Sequence, residues 1–306
     1  MPIKISLIKD KQYYQKLIKD LWIAFRPRSL TLAIGSTTLG MIAAYREGMV
    51  LNTENLIKII LITIAGIFAQ GGANLINDYF EGSFRYYRPS GRKVTFLGAE
   101  RTYFDVFVFL WGMACFGGAA LIGLYLIYVT NIQMLYIGLI GVVGAYAYTG
   151  EPFVYKRHGL GVPISFLLMG PLMLYGAYFP FTLTFSWYPI LLGLPPTLFI
   201  PALMISNEMR DFTRDKRLSL GTLSVRMGSQ WSKIVYRILV FGAFGLTALY
   251  ILTGIYPWLS ALVFMTLPIA LKAHKCVTHF EGLGIPYTNN LHWTFNLIII
   301  LTLLVR

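Results

Sequence analysis

Nine apolar segments punctuate the chain, and they leave few folds open to it. They run from 28 to 47, 56 to 76, 104 to 129, 131 to 149, 162 to 180, 188 to 206, 234 to 253, 255 to 273 and 288 to 305. A hydrocarbon core about 30 Å thick is crossed by about 20 consecutive apolar residues in a helix, so each segment has the length of a crossing. None alternates with period two, which excludes the strands of an outer-membrane barrel. Of the 306 residues only 13% are charged and 56% are hydrophobic, against about 25% charged in an average soluble domain. That balance excludes a disordered chain, and also a soluble nucleic-acid binder despite the net charge of +13. Cys115 lies in an apolar run and Cys276 far from it in sequence, so no disulfide is implied. The expected fold is all-α: one domain over residues 1–306, built as a polytopic membrane bundle of nine transmembrane helices.

Basic residues orient this bundle. Lys and Arg collect on the cytoplasmic side of a membrane protein. With the N-terminus placed in the cytoplasm, all of the 26 basic residues except Arg46, Lys58 and Arg306 fall on that side. The excess charge thus reads as an orientation signal, with an attraction for anionic membrane lipids. Residues 1–27 lack the long apolar core of a signal peptide. They read instead as a lead-in helix in the membrane interface: Tyr13, Tyr14, Leu17, Ile18 and Leu21 share one face, with Lys11, Lys16, Lys19 and Asp20 around the rest. Stretches 77–103 and 207–233 are expected to form cytoplasmic cap loops.

Acidic residues are scarce, 13 in all, and five of them stand at the inner ends of two segments. Asp78 and Glu81 follow the second segment, and Glu208, Asp211 and Asp215 follow the sixth. A carboxylate at a membrane-helix end is costly unless paired or hydrated, which makes it a functional candidate. In GGANLINDYFEG, Asn74, Asp78 and Glu81 share one helical face, and in SNEMRDFTRDK so do Asn207, Asp211 and Asp215. Two such oxygen-rich ladders facing one cavity repel each other unless a cation lies between them. Mg²⁺ fits, because it takes oxygen ligands and is typically held by one or two carboxylates plus substrate phosphates. The natural third party is a diphosphate, and at a membrane surface that suggests an isoprenoid chain. A second reading stays open, in which Asp211 pairs with Arg214 and Asp215 with Lys216 as plain surface ion pairs.

Five strings resemble the UbiA superfamily of intramembrane prenyltransferases. AFRPRSLTLAIGSTTLG is similar to that family's opening helix, NLINDYFEG to its first Asp-rich motif and NEMRDFTRD to its second. YTGEPFVYKRHGLG, from Tyr148 to Gly161, and TLSVRMG, from Thr222 to Gly228, resemble the branch that prenylates 1,4-dihydroxy-2-naphthoate on the way to menaquinone. The resemblance implies a nine-helix bundle with a cytoplasmic cap over a Mg²⁺ site, joining a polyprenyl diphosphate donor to an aromatic acceptor. It implies that Asn74, Asp78 and Glu81, with Asn77 beside them, form one metal-binding ladder, and Asn207, Asp211 and Asp215 the other. Lys156, Arg210, Arg88 and Lys216 are then candidates for the diphosphate, and Tyr148 contacts it. Asp78, Asp211, Lys156 and Arg210 are the implied catalytic residues. Three departures stand out: Glu81 occupies a position that is usually Asp, Arg85 and Tyr87 stand where a further Asp usually follows, and Leu220 occupies a position that is usually Lys in this branch.

The chemistry expected of such a site is electrophilic alkylation. Mg²⁺ and basic side chains stabilise charge on the departing diphosphate, and aromatic faces stabilise the allylic cation by about 0.5 to 2 kcal/mol each. Alternatives are a relative with another acceptor (a hydroxybenzoate or a lipid alcohol), a terpene cyclase of the same fold, or a lipid-binding or transport protein that retains it. Transporters place their acids near the bilayer midplane, whereas these stand at helix ends on one side. Lys156 and Arg157 read equally well as phosphate ligands and as topology anchors. Arg88, Arg92 and Lys93 lie in a Pro/Gly loop suited to fold over the site. His274 and His279 have no cysteine pair near them to complete a zinc site, and the GGA at 71–73 and GG at 117–118 read as close helix packing. The expected location is a bacterial or archaeal cell membrane, with the site facing the cytoplasm.

Overall fold

The structure, a computed structural model, describes residues 11–82 and 93–305. Helix α1 (Lys11–Phe25) leads through a short turn into α2 (Leu30–Arg46) and α3 (Thr53–Phe80). A two-stranded antiparallel hairpin, β1 (Lys93–Phe96) and β2 (Ala99–Thr102), precedes α4 (Tyr103–Val129) and α5 (Gln133–Ala147). Helices α6 (Gly161–Leu167) and α7 (Met173–Thr182) form one rod through a π-helical turn at Leu168–Leu172, and α8 (Tyr188–Thr197) runs into α9 (Phe199–Arg217). The short α10 (Leu223–Met227), α11 (Ser229–Leu252), α12 (Leu267–Thr278) with a 3₁₀ lead-in, and α13 (Gly284–Leu304) complete the chain.

Six of the described helical segments are long and apolar enough to cross a membrane: Thr53–Phe80, Tyr103–Val129, Gly161–Thr182, Tyr188–Arg217, Ser229–Leu252 and Trp258–Thr278. The other three expected crossings are also helical. Two of them, α2 and α5, are short, with 17 and 15 residues. Helix α13 has 21 residues, and Asn289, Asn290, His292 and Asn296 dilute its apolar character.

Sequence punctuation sets the helix starts. Asn52 caps α3 by accepting the Asn55 N–H at 2.8 Å. Thr102 and Asp105 form a reciprocal capping box that starts α4 on leaving the hairpin. Between helices, small residues permit close approach. A Cβ on Gly40 of α2 would lie 2.3 Å from the Leu174 carbonyl oxygen of α7. Gly72 of α3 fits against Phe116 of α4, and Gly118 of α4 against Phe68 of α3. The GGA string and Gly118 thus act as packing positions, while Gly117 faces open space.

Polar side chains repair the backbone where proline interrupts it. Pro195 and Pro196 of α8 have no N–H to give the carbonyls of Leu191 and Leu192 one turn earlier. In a membrane such orphans must find a partner inside the protein. Tyr250 donates its hydroxyl to the Leu191 carbonyl at 2.9 Å, and the buried Tyr256 donates to Leu192.

Three sequence expectations change. Stretch 207–217 is not a loop but the last turns of α9, and 77–80 likewise belongs to α3. Both polar ladders keep helical spacing, so the helices carry on through them. Helix α1 is coated on two adjacent stripes: Leu17, Leu21 and Phe25 pack against α3 and α4, while Tyr14, Ile18 and Trp22 face outward, 51%, 66% and 65% exposed. Asp20, expected on the solvated side, is buried. The inward stripe turns one face of the helix into core, and Asp20 goes in beside Ala24.

If the tyrosines satisfy the proline-freed carbonyls, Tyr256→Phe leaves the Leu192 oxygen unpaired and lowers stability by about 1–3 kcal/mol. Removing the exposed hydroxyl of Tyr128 should have no such effect. Thermal unfolding of the two variants in detergent checks this.

Candidate metal and diphosphate site

The two ladders stand at the C-terminal ends of α3 and α9, at one end of the bundle. On α3, Asn74, Asn77 and Asp78 are buried. Asn74 serves the fold as well as the site: its amide donates to the Phe25 carbonyl at 2.9 Å and the Ser29 hydroxyl at 2.8 Å, tying the α1–α2 corner to α3. Its oxygen accepts from Gln70 at 3.3 Å. At the same corner Arg26 takes a left-handed backbone conformation ahead of Pro27, φ 52°, and donates to the Asn77 oxygen at 2.8 Å. That conformation is strained for a residue with a Cβ, and it brings a cation into the first ladder.

On α9 every ladder acid is engaged. Arg210 grips Asp211 with two bonds of 2.8 and 2.7 Å. Arg214 reaches Asp211 at 3.1 Å and Asp215 at 2.7 Å. Asn207 turns its amide back onto the Leu203 carbonyl, 3.0 Å away. Glu208, outside the ladder, is buried and accepts the Ser224 backbone N–H of α10 at 2.8 Å. The surface-pair reading is therefore met for Asp211 with Arg214. Asp215 takes Arg214 as its partner, and Lys216 is exposed and joins no ion pair among the described residues.

The loop between α5 and α6 connects the two ladders. A 3₁₀ turn, Tyr155–His158, is bracketed by left-handed Val154 and Gly159, φ 41° and 78°. This turn aims Lys156 inward and leaves Arg157 exposed, which separates two residues that the sequence ranked alike. Lys156 forms an ion pair of 2.6 Å with Glu81, the last acid of the first ladder, with side chains only 16% and 19% exposed. Its ammonium also stands 5.6 Å from the Tyr148 ring centre, and Tyr148 in turn packs edge-on to Tyr155.

Electrostatics bind the parts into one site. Burial pushes the Glu81 carboxyl up, but Lys156, with help from Arg26 and from Arg214 of α9, brings it below the ordinary carboxylate value. Arg214 belongs to the second ladder, so the two ladders share one field. Burial pushes the Tyr155 hydroxyl far up. It therefore remains a protonated donor at physiological pH.

The donor set suits Mg²⁺: hard carboxylate and amide oxygens, with no cysteine near. Among the described residues no three His, Cys, Asp or Glu side chains stand close enough to cage a metal by themselves. Mg²⁺ typically takes one or two carboxylates and completes its shell with substrate phosphate and water. Asp78, Glu81, Asp211 and Asp215 are the residues that would hold it. Sequence reasoning missed Arg26 as part of this site, and it named Arg214 only as an ion-pair partner and Glu208 only as one of the helix-end acids. The first had a signal, a basic residue directly before Pro27 at a helix corner. Arg88 and Arg92 lie outside the described residues.

Known proteins corroborate the architecture. The human UbiA prenyltransferase domain-containing protein 1 is 28% identical over 222 residues, 72% of this chain, which spans 64% of that protein's length. The 1,4-dihydroxy-2-naphthoate octaprenyltransferase of Bacillus subtilis is 26% identical over 258 residues, 83% of this chain and 81% of that enzyme. Among solved structures, a UbiA homologue from Archaeoglobus fulgidus bound to DMAPP and Mg²⁺ superposes with a TM-score of 0.57 at 15% identity, over 94% of this chain and 99% of that one. The model of the UbiA prenyltransferase family matches residues 33–280, and the chain belongs to that family.

Proposed function

We propose that this chain transfers a prenyl group from a polyprenyl diphosphate to an aromatic acceptor in a Mg²⁺-dependent reaction, and that the acceptor is 1,4-dihydroxy-2-naphthoate. The observation that carries the reading is the Lys156–Glu81 ion pair, which ties a diphosphate-binding candidate to a metal-binding candidate. The named activity of the Bacillus relative supports the acceptor, and the DMAPP and Mg²⁺ named for the Archaeoglobus homologue support donor and ion. The full proposal has nine crossings in one domain, an N-terminus in the cytoplasm and a site opening on that side. The outward stripe of Tyr14, Ile18 and Trp22 lays α1 in the adjacent lipid interface.

In this reading the ion pairs hold a resting arrangement. Lys156, Arg210 and Arg214 are each latched onto a carboxylate that also suits a metal. With donor and ion bound, Asp78, Glu81, Asp211 and Asp215 would hold the metal, and Lys156, Arg210 and Arg214 would turn from their carboxylates to phosphate oxygens. Bound Mg²⁺ would supply Lewis-acid stabilisation to the departing diphosphate. Lys156 and Arg210 add charge-assisted hydrogen bonds to the same oxygens. Tyr148 presents its ring beside Lys156. Such an exchange makes ion and diphosphate affinities interdependent, since each frees partners for the other.

Asp78→Asn and Asp211→Asn should each lower kcat/KM for prenyl transfer by about 100-fold or more, the scale seen when one preorganised charge-stabilising group is removed. The assay combines purified protein, geranylgeranyl diphosphate, Mg²⁺ and 1,4-dihydroxy-2-naphthoate, with diphosphate release followed in parallel. Release without coupled product would point to another acceptor or to cyclisation. Unchanged turnover in both variants would contradict the metal site.

The ion pair also predicts a pH dependence. Glu81 ionises below its ordinary value, so its contribution is complete above the unfolded value and disappears as pH falls through the folded one. Against Glu81→Gln, the native chain should be more stable by about 1–3 kcal/mol at neutral pH. The difference in thermal midpoint should shrink toward zero well below pH 4.5.

A further inference from the structure

The string TLSVRMG marks a branch of the family, yet it contributes no side chain to the ladders. Its residues form α10, and the contacts of α10 run between the second ladder and Lys156. At one end, Glu208 of α9 takes the Ser224 backbone N–H at 2.8 Å. That N–H is one of the unsatisfied donors of the first turn of α10, and Thr222 makes no side-chain cap there. Glu208, 4% exposed, thus caps α10 from a neighbouring helix, and the join is buried. At the other end, the Arg226 guanidinium donates through Nε to the Gly221 carbonyl at 2.8 Å and lies flat across two glycines. A Cβ on Gly159 would lie 2.6 Å from Arg226 Cδ, and one on Gly221 would lie 2.8 Å from Arg226 Nη2 and 2.6 Å from the Arg157 carbonyl oxygen. Gly159 closes the 3₁₀ turn by donating to the Tyr155 carbonyl, and Lys156 sits inside that turn.

We propose that Glu208 and Arg226 are positioning residues that form a bracket from the acid-bearing end of α9, through α10, to the turn carrying Lys156. The proposal rests on the prenyl diphosphate reading above and adds what sets the place of its lysine. Lys156 has no helix of its own to hold it. Its turn depends on left-handed Val154 and Gly159, a conformation that costs free energy at Val154 and persists only if something outside the loop enforces it. Arg226 is pressed on that turn, which is also tied to α5 and its end by the Tyr155 hydroxyl donating to the Gly144 carbonyl and the Lys156 N–H donating to the Tyr148 carbonyl. Glu208 fixes the element from which Arg226 projects. Gly159 is needed for its left-handed backbone, and Gly221 because the Arg157 carbonyl oxygen lies 2.6 Å from where its Cβ would stand.

The test is a double-mutant cycle on binding of geranylgeranyl diphosphate with Mg²⁺ by the purified full chain, which needs no knowledge of the acceptor. Arg226→Ala should weaken binding by about tenfold, within the usual range for coupled neighbours. Lys156→Ala should weaken it at least as much, and the double variant should bind no worse than Lys156→Ala alone. Glu208→Ala should behave as Arg226→Ala does, whereas Glu208→Gln, which keeps an oxygen to accept the Ser224 N–H, should restore binding. If Arg226→Ala does not fold, Arg226→Lys, which keeps the stem and charge but lacks Nε, completes the same cycle with a smaller loss. A merely structural role would lower stability and make the losses of affinity multiply. Multiplying losses, or an Arg226→Ala chain that binds as the native one does, overturn the bracket. Failure of the native chain to bind the diphosphate in a Mg²⁺-dependent way overturns the reading beneath it instead.

Discussion

The contact between Lys156 and Glu81 is the constraint on which the site depends. It joins the end of α3 to the turn that follows α5, and the charge of Lys156 also reaches Asp211 and Asp215 on α9. A short ion pair between side chains mostly withdrawn from solvent is not sustained by Coulomb attraction alone, since desolvation opposes it. It persists because both partners are delivered by rigid elements: Glu81 by the last turn of a 28-residue helix, Lys156 by a turn locked between two left-handed residues. Removing either partner would leave a charge in a poorly hydrated place beside others of both signs.

Rigidity further down the bundle serves the same end. Close approach at Gly40 and Gly72 fixes α2 against α7 and α3 against α4. Tyr250 and Tyr256 allow α8 to carry two consecutive prolines without orphaned carbonyls. Asn74 and Arg26 then hold the corner between α1 and α2 against the first ladder. The positions of the acids are thus inherited from packing between helices, and the reactive end needs few contacts of its own.

Much of this was visible in the sequence because a membrane imposes simple rules. The apolar segments marked the helices, and spacing of three and four put Asn74, Asp78 and Glu81 on one face. Other features depend on groups distant in sequence, and no local pattern reveals them. The spacing already put Asn207, Asp211 and Asp215 on one helical face, and what composition hid was that α9 runs on to Arg217 in place of a cap loop. The partner of Asp215 is Arg214 rather than Lys216, a choice between adjacent residues that helix phase and packing decide. Lys156 and Arg157 are neighbours of equal charge, and only the left-handed turn around them separates their roles. Glu208 was counted among the acids without a task, since its partner is a backbone N–H sixteen residues on.

The central claim is that both ladders hold one diphosphate head through divalent ions. A structure of the full chain with Mg²⁺ and a non-hydrolysable prenyl thiodiphosphate tests it most directly. The account predicts metal density between the phosphates and carboxylates of both helices, including Asp78 and Asp211, with Lys156 released from Glu81 and turned toward a phosphate oxygen. A ligand held by one helix alone, or a Lys156–Glu81 pair still closed beside a bound diphosphate, would contradict it.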